Sequence, residues 1–498
     1  MNMEVRVENL RKDLSRQLRY DENSPNMDFL ISWLVDYNPY TSTTEIVDWL
    51  TKLNSLQYFD VKQIPIPELR DWAQDRNTGN IVHKSGQFFS IKGISINIDI
   101  GPVKKWCHPI IDQPEVGILG LIAKKIGGIL YFLVQAKAES GNINTFQLSP
   151  SVQATYSNYT QVHGGKKVPY IEYFLDNSNS TILVDQLQSE QGGRFYKKRN
   201  RNMVVLLDKN EEITMQENYV WASVRQIKEL LLLDNFVNMD LRSVISTICY
   251  HSETATEGKI FSYEELKESI FNHEIVSKSL TDEKLKLLYS SICAKTYFYT
   301  NDEVLTILRK ARDKYKMGRR IIPLNEVSGW IQNDNSIYHQ TGKHFSIIGV
   351  RTNANNREIN SWDQPIMEQK NIGITGMVAK EIEGILHFLI HLKAECGLLN
   401  NIECGPTVQL SLSNYDKSSK IIKLFTALDE NTISINTIQS EEGGRFYKYQ
   451  NRNIIINNNV DGLDNSDFYF WISPYQLKTL MNQGSYVNVE CRSILSFI

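Results

Sequence analysis

The sequence predicts an α+β protein made of two copies of one domain, each a mixed sheet flanked by helices, and three observations lead there. First, the run Leu187-Gln188-Ser189-Glu190-Gln191-Gly192-Gly193-Arg194-Phe195-Tyr196-Lys197 returns as Ile438-Gln439-Ser440-Glu441-Glu442-Gly443-Gly444-Arg445-Phe446-Tyr447-Lys448. Second, the copying is long: Lys137, Glu139, Gly141, Pro150, Val152 and Gln153 recur 256 positions on as Lys393, Glu395, Gly397, Pro406, Val408 and Gln409. Glu45 and Trp72 precede Glu303 and Trp330 by 258 positions, and Arg242-Ser243 precede Arg492-Ser493 by 250, so the copies span about 41–246 and 299–498. That is far beyond the roughly 20–50 residues of a solenoid unit and is domain-sized. Third, segments of strand period alternate with segments of helix period inside each copy.

Residues 1–40 read as a helical leader ending in an aromatic-rich link. Glu45–Leu56 is predicted helical, because Ile46, Trp49, Leu50 and Leu53 fall near a 3.6-residue period. Phe88–Ile91 and Phe345–Ile348 read as strands, each after a glycine turn. Gly117–Ala123 and Ile129–Glu139 form the clearest strand pair, with Gly127-Gly128 as a hairpin turn. Val152–Tyr156, Thr181–Leu187 and Met203–Leu207 complete the strands, and Ser223–Leu233 is a helix matched later by Gln476–Met481. Residues 247–298 find no copy and are predicted to be a helical bridge.

A chain of 498 residues can hold two or three full cores, and its net charge of −3 excludes the basic field that nucleic-acid binding needs. No apolar run approaches a membrane helix and the opening Met1-Asn2-Met3-Glu4 carries no apolar signal region, so a cytoplasmic protein is expected. The six cysteines have no metal-site spacing and are read as reduced thiols.

The copied polar residues carry the chemistry. Along Tyr131–Glu139, Phe132, Val134, Ala136 and Ala138 point to one face and Gln135, Lys137 and Glu139 to the other. A solvated strand face is the plain alternative, but its charges have no reason to recur as Lys393 and Glu395. Gln153, Asn158 and Tyr159 form a hydrogen-bonding set suited to a base or sugar, repeated as Gln409, Asn414 and Tyr415, against the alternative of a polar strand edge. Gly192-Gly193-Arg194 joins an approachable backbone to a guanidinium, and with Arg199 and Arg201 after it the segment suits a diphosphate, the alternative being a tight turn with a surface arginine. Arg445 is its copy. His163 lies in a stretch peculiar to the first half, where a lone loop histidine is more often without a catalytic role. There is no Walker loop, no dinucleotide fingerprint and no zinc helix pattern.

These strings, "QPEVGILG", "QAKAESGN", "LSPSVQATYSNY", "VHGGKKVPYIEYF", "SEQGGRFY" and "KKRNRNMVV", with "GPTVQLSLSNY" and "SEEGGRFY" in the second half, resemble the NDP-hexose 2,3-dehydratase family over residues 41–498. The resemblance implies tandem Nudix-like folds without the Nudix metal signature, a homodimer, and no cofactor or metal. It implies removal of water across C2 and C3 of a dTDP-4-keto-6-deoxyhexose to give a 3,4-diketo-2,6-dideoxyhexose. For that chemistry Glu139, Tyr159 and His163 are the available acids and bases and Lys137 an oxyanion stabiliser or acid. Arg194, Arg199 and Arg201 would hold the diphosphate, and Gln153 and Asn158 would read the thymine or sugar. Were the second half the reacting one, Lys393, Glu395, Gln409, Asn414, Tyr415, Glu442 and Arg445 would take these roles; its shortened segment after Tyr415 favours the first half. A non-catalytic nucleotide-sugar-binding protein is the competing reading, and a metal-dependent Nudix hydrolase lacks its glutamate helix.

Overall fold

The computed structural model describes residues 2–101, 103–161, 166–176, 178–251, 261–355, 359–411, 419–458 and 468–498. These residues form a mixed α+β fold with four sheets among them. The leader is two helices, Met3–Leu18 and Pro25–Leu34. It is fastened by a buried ion pair, Arg11 to Asp28 at 2.8 Å, and by Arg11 Nη2 donating to the Gly128 carbonyl at 2.8 Å. Gly127 and Gly128 turn the hairpin between Gly117–Ile126 and Ile129–Ala138 with φ of +57° and +82°, the paired left-handed values a two-residue hairpin needs.

The larger sheet of the first repeat runs Ser180–Ser189, Arg199–Leu207, Gly117–Ile126, Ile129–Ala138 and Tyr219–Ser223, with Phe146–Ser149 and Val152–Ala154 at one end. Arg199–Leu207 and Gly117–Ile126 are parallel and the other pairs antiparallel. The second repeat builds the same sheet from Ile433–Ser440, Gln450–Asn457, Gly373–Ile382, Ile385–Ala394 and Ile402–Gly405, with Val408–Ser411 and Tyr469–Ile472 beside them. Both faces of Ile129–Ala138 are buried, so the Lys137 face is a cavity wall and not a solvated edge. The predicted strand Val152–Tyr156 stops at Ala154, and Tyr156–Tyr159 is a helical turn instead; the two tyrosine rings pack 5.3 Å apart.

The bridge holds a counterpart that the sequence hides. Its helix Asp282–Ile292 packs on strand Ile385–Ala394 and helix Pro474–Asn482, just as Pro25–Leu34 packs on Ile129–Ala138 and Val224–Leu230. Ser290 Oγ meets Leu386 N at 2.9 Å where Ser32 Oγ meets the carbonyl of Leu130. Among the described residues no helix is long and apolar enough to cross a membrane.

The two repeats are interleaved. Strand Phe59–Ile64 of the first pairs with Ser346–Ala354 of the second, and Met317–Ile322 of the second pairs with Ser90–Ile98 of the first. The two smaller sheets are therefore each completed by the opposite repeat. Where the repeats meet, two fully buried arginines reach across. Arg242 Nη2 donates to Ser440 O at 2.6 Å, and Arg492 Nη2 to Ser189 O at 2.6 Å. These bonds explain why Arg-Ser is copied: Arg242 also donates to Ser493 Oγ at 2.9 Å, and Arg492 to Ser243 Oγ at 3.4 Å.

The same interface holds one pH-sensitive mismatch. Ser440 Oγ donates to Gln147 at 2.8 Å, while at the equivalent place Ser189 Oγ donates to Glu403 at 2.6 Å. Burial raises the Glu403 carboxyl to about 7, outweighing the Ser189 bond and the Arg492 charge. A carboxyl raised in the folded state favours folding at acid pH, and that advantage is lost as pH climbs from about 4.5 through 7. Glu403→Gln is expected to stabilise the protein by about 3 kcal/mol at pH 8 and by little at pH 4. Denaturant midpoints at the two pH values check this, and an equal effect at both would refute it.

Candidate active site

A cavity of about 520 Å³ opens where the two repeats interleave. Lys137, Glu139, Gln153 and Asp240 of the first repeat share its lining with Glu442, Gly444 and Arg445 of the second. Two backbone contacts make this mixed wall. Gly141 N donates to Gly443 O and Lys448 N to Gly141 O, each at 2.8 Å. At the other crossing Gly397 N donates to Gly192 O at 2.6 Å and Lys197 N to Gly397 O at 2.7 Å. Each Gly-Gly-Arg-Phe loop thus sits against the Lys-x-Glu strand of the opposite repeat.

The polar residues are held in a fixed frame. Lys137 Nζ donates to Gln153 O at 3.0 Å, and Gln153 Nε2 donates to Glu139 Oε1 at 3.0 Å. Gln153 is itself fixed through its Oε1, which accepts from Ser149 Oγ at 2.7 Å and Asn238 Nδ2 at 2.9 Å. Glu139 Oε2 is buried and has no hydrogen-bond partner among the described residues. Arg445 stacks over Phe89 at 4.0 Å and donates to Gln113 Oε1 at 3.2 Å.

Burial and mutual repulsion set the protonation states. Burial pushes Glu442 up to about 8; Arg445 and Lys198 oppose this, while Glu190 and Glu139 add to it. Asp240 is raised well above the usual carboxylate range by burial and then by Glu442, Glu139 and Glu190. Burial lowers Lys198, whose Nζ donates to Glu115 O, against the pull of Glu190 and Glu442. The cavity therefore combines carboxyl groups held neutral near pH 7 with lysines beside them, the arrangement needed for paired proton transfers.

The related site of the second repeat has the same frame and different chemistry. Gln409 Nε2 donates to Glu395 Oε1 at 3.0 Å and Asn488 Nδ2 to Gln409 Oε1 at 2.9 Å, while burial raises the Glu395 carboxyl against the pull of Lys393. Yet Gln191 and Tyr449 occupy the positions of Glu442 and Lys198, and Gln191 is turned to Glu441.

The sequence groups Arg194 with Lys137 and Glu139; the structure separates them. Arg194 lies over Phe345 at 4.4 Å and bears on Glu395, and Arg445 stands in the first cavity. Arg201 is outside the cavity lining and bound to Asp185 at 2.7 Å, and Arg199 is also outside it. Asn158 lines the cavity, whereas Tyr159, its hydroxyl raised by burial, does not. His163, Asn414 and Tyr415 lie outside the described residues. Sequence reasoning missed Asp240, placed Lys198 only in the basic run after Arg194, and grouped Glu442 with Lys393 and Glu395, whereas it lines the cavity of Lys137 and Glu139. Asp240 sits two places before the copied Arg242-Ser243 and has an acid, Glu490, at the equivalent place, so it was within reach of the repeat; Lys198 has Tyr449 there and was not.

The comparisons with known proteins agree with this duplicated frame. The family model described as NDP-hexose 2,3-dehydratase matches twice, over residues 43–248 and 301–498. The chain is similar to a dTDP-4-dehydro-6-deoxy-alpha-D-glucopyranose 2,3-dehydratase of Saccharopolyspora spinosa, 38% identical over 479 residues that cover 94% of this chain and 93% of the relative. Relatives of the same name from Amycolatopsis orientalis and Streptomyces violaceoruber are each 35% identical, covering 92% of this chain and 90% and 97% of their own length. The chain belongs to the NDP-hexose 2,3-dehydratase family.

Proposed function

We propose that the protein is a hydro-lyase that removes water across C2 and C3 of a dTDP-4-keto-6-deoxyhexose, and that the cavity around Glu139 and Glu442 is where it does so. The supporting observation is the gathering of Glu139, Asp240, Glu442, Lys137 and Lys198 in one enclosed space, set against the Gln191 and Tyr449 of the related site. The C4 ketone acidifies the C3 proton. Glu139, with Oε2 unpartnered, takes it and leaves an enolate whose charge falls to Lys137 and Lys198. The enolate electrons then form the C2–C3 double bond, the C2–O bond breaks, and the departing hydroxyl takes the Glu442 proton and leaves as water. The resulting enol ketonises by moving its C3 hydroxyl proton to C2, which gives the 3,4-diketo-2,6-dideoxyhexose.

We read each repeat as a Nudix-like frame, on the family resemblance and on the pairing of a larger mixed sheet with a smaller, mostly antiparallel one. A cytoplasmic homodimer that needs neither metal nor cofactor is the accompanying expectation. The purified protein would be incubated with dTDP-4-keto-6-deoxyglucose, with and without chelator, and the labile product trapped by a 3-ketoreductase and NADPH. Chelator-insensitive loss of one water by mass is the expected result; intact sugar despite binding would overturn the reaction.

A further inference from the structure

We propose that Arg70, held in place by Asp363 of the opposite repeat, binds the diphosphate of the substrate, and that the nucleotide therefore runs past Trp72 and not towards Arg199 and Arg201. This rests on the dTDP-sugar reading of the cavity. Arg70, Trp72 and Asp363 all line that cavity. The Asp363 side chain is fully buried and accepts from Arg70 Nη2 at 2.8 Å, Arg70 Nε at 3.2 Å and the Arg70 backbone N–H at 2.8 Å. It also accepts from Arg351 Nε at 3.0 Å and Nη2 at 2.8 Å. Burial alone would raise this carboxyl, but the arginine bonds hold it well below the usual range, so it is charged. Asp363 is shared between the two guanidiniums, and the Glu68 charge also bears on Arg351. Arg70, half exposed in the cavity lining, keeps its Nη1 without a hydrogen-bond partner among the described residues.

The duplication supplies a control. At the positions equivalent to Arg70 and Asp363 the second site has Ser328 and Cys107, whose Oγ and Sγ lie 3.2 Å apart. The surrounding frame is unchanged: Trp72 Nε1 donates to Asp363 O at 2.7 Å, and Trp330 Nε1 donates to Cys107 O at 3.2 Å. The fold thus forms without the ion pair, and what the pair adds is a rigidly held guanidinium in the first cavity. Such a group suits the fork geometry of phosphate oxygens. Asp71 lines the same wall, but its charge bears on His83. From Arg445, which lies over Phe89, a run of rings continues in the same lining as Arg70: Phe89 to Trp72 at 4.7 Å, Trp72 to His83 at 5.2 Å, and His83 to Phe88 at 4.7 Å. These rings offer an aromatic surface for a base.

The test is binding of dTDP by calorimetry and of thymidine by ligand-observed NMR to the full-length wild type, Arg70→Gln and Arg70→Lys, alongside turnover. Arg70→Gln is expected to weaken dTDP by about 10- to 100-fold and to raise KM in step, with thymidine changed less than about 2-fold. Arg70→Lys should recover part of the dTDP affinity. Unchanged dTDP binding, or equal losses for dTDP and thymidine, would overturn the proposal. Wild-type binding without loss of water would refute the reaction and leave the Arg70 result standing, so the two failures are distinct.

Discussion

Glu442→Gln is expected to slow loss of water by about 10²–10⁴-fold while exchange of the C3 hydrogen with solvent continues. The amide matches the carboxyl in shape but cannot protonate the departing hydroxyl. Glu139→Gln should abolish both processes, because an amide in its place cannot take the C3 proton. Incubation of each variant in deuterated water, followed by mass and proton NMR, separates the steps. A Glu442→Gln enzyme that still dehydrates at wild-type rate would remove it as the acid. The pH profile carries a second signature. Glu442 is raised to about 8 and works only when protonated, so the wild-type rate should fall as pH passes 8. That limb belongs to the carboxyl cluster as a whole, since the Glu442 charge bears on Asp240, and it should be displaced in the Glu442 variant.

Gly141→Ala is expected to destabilise the protein by about 3 kcal/mol and to cut kcat/KM by at least about 10-fold in the fraction that remains folded. A Cβ at Gly141 would lie 1.8 Å from Phe446 O, and one at Gly397 would lie 1.7 Å from Phe195 O. Neither obstacle is a flexible side-chain end, so the crossing loops must move. The two variants should lose similar stability. Only Gly141→Ala displaces the loop that carries Glu442 and Arg445 into the first cavity, and Gly397→Ala should stay within a few-fold of wild-type activity once folded. Thermal melts paired with rates measured well below the transition would decide it. Equal activity losses would place chemistry at both sites.

Much of this architecture is legible in the chain. Alternation along Tyr131–Glu139 separates Lys137 and Glu139 from the core side, and Gly127-Gly128 announces the hairpin. The frame of Lys137, Glu139 and Gln153 could be drawn from their recurrence. The exchange could not, because two identical Gly-Gly-Arg-Phe loops carry no mark of which strand each will meet. That ambiguity put Arg194 in the wrong cavity. Asp240 was harder to place for a different reason: it lies in helix Met239–Ser246, where every residue is buried and no exposed face marks the side that meets a cavity. The helical turn at Tyr156–Tyr159 follows a three-residue strand with no glycine or proline to mark the change.

The strand exchange also bears on how such a chain could arise. A single repeat, made alone, would leave Ser90–Ile98 without the partner strand that completes its sheet, and would lack the arginine loop facing its own Lys137. Two such molecules would have to meet, so a single-repeat protein would be subject to dilution and its two sites would be alike. Two repeats in one chain lift both constraints: assembly no longer depends on concentration, and one site can carry Tyr449 and Gln191 where the other carries Lys198 and Glu442, on a backbone that both share.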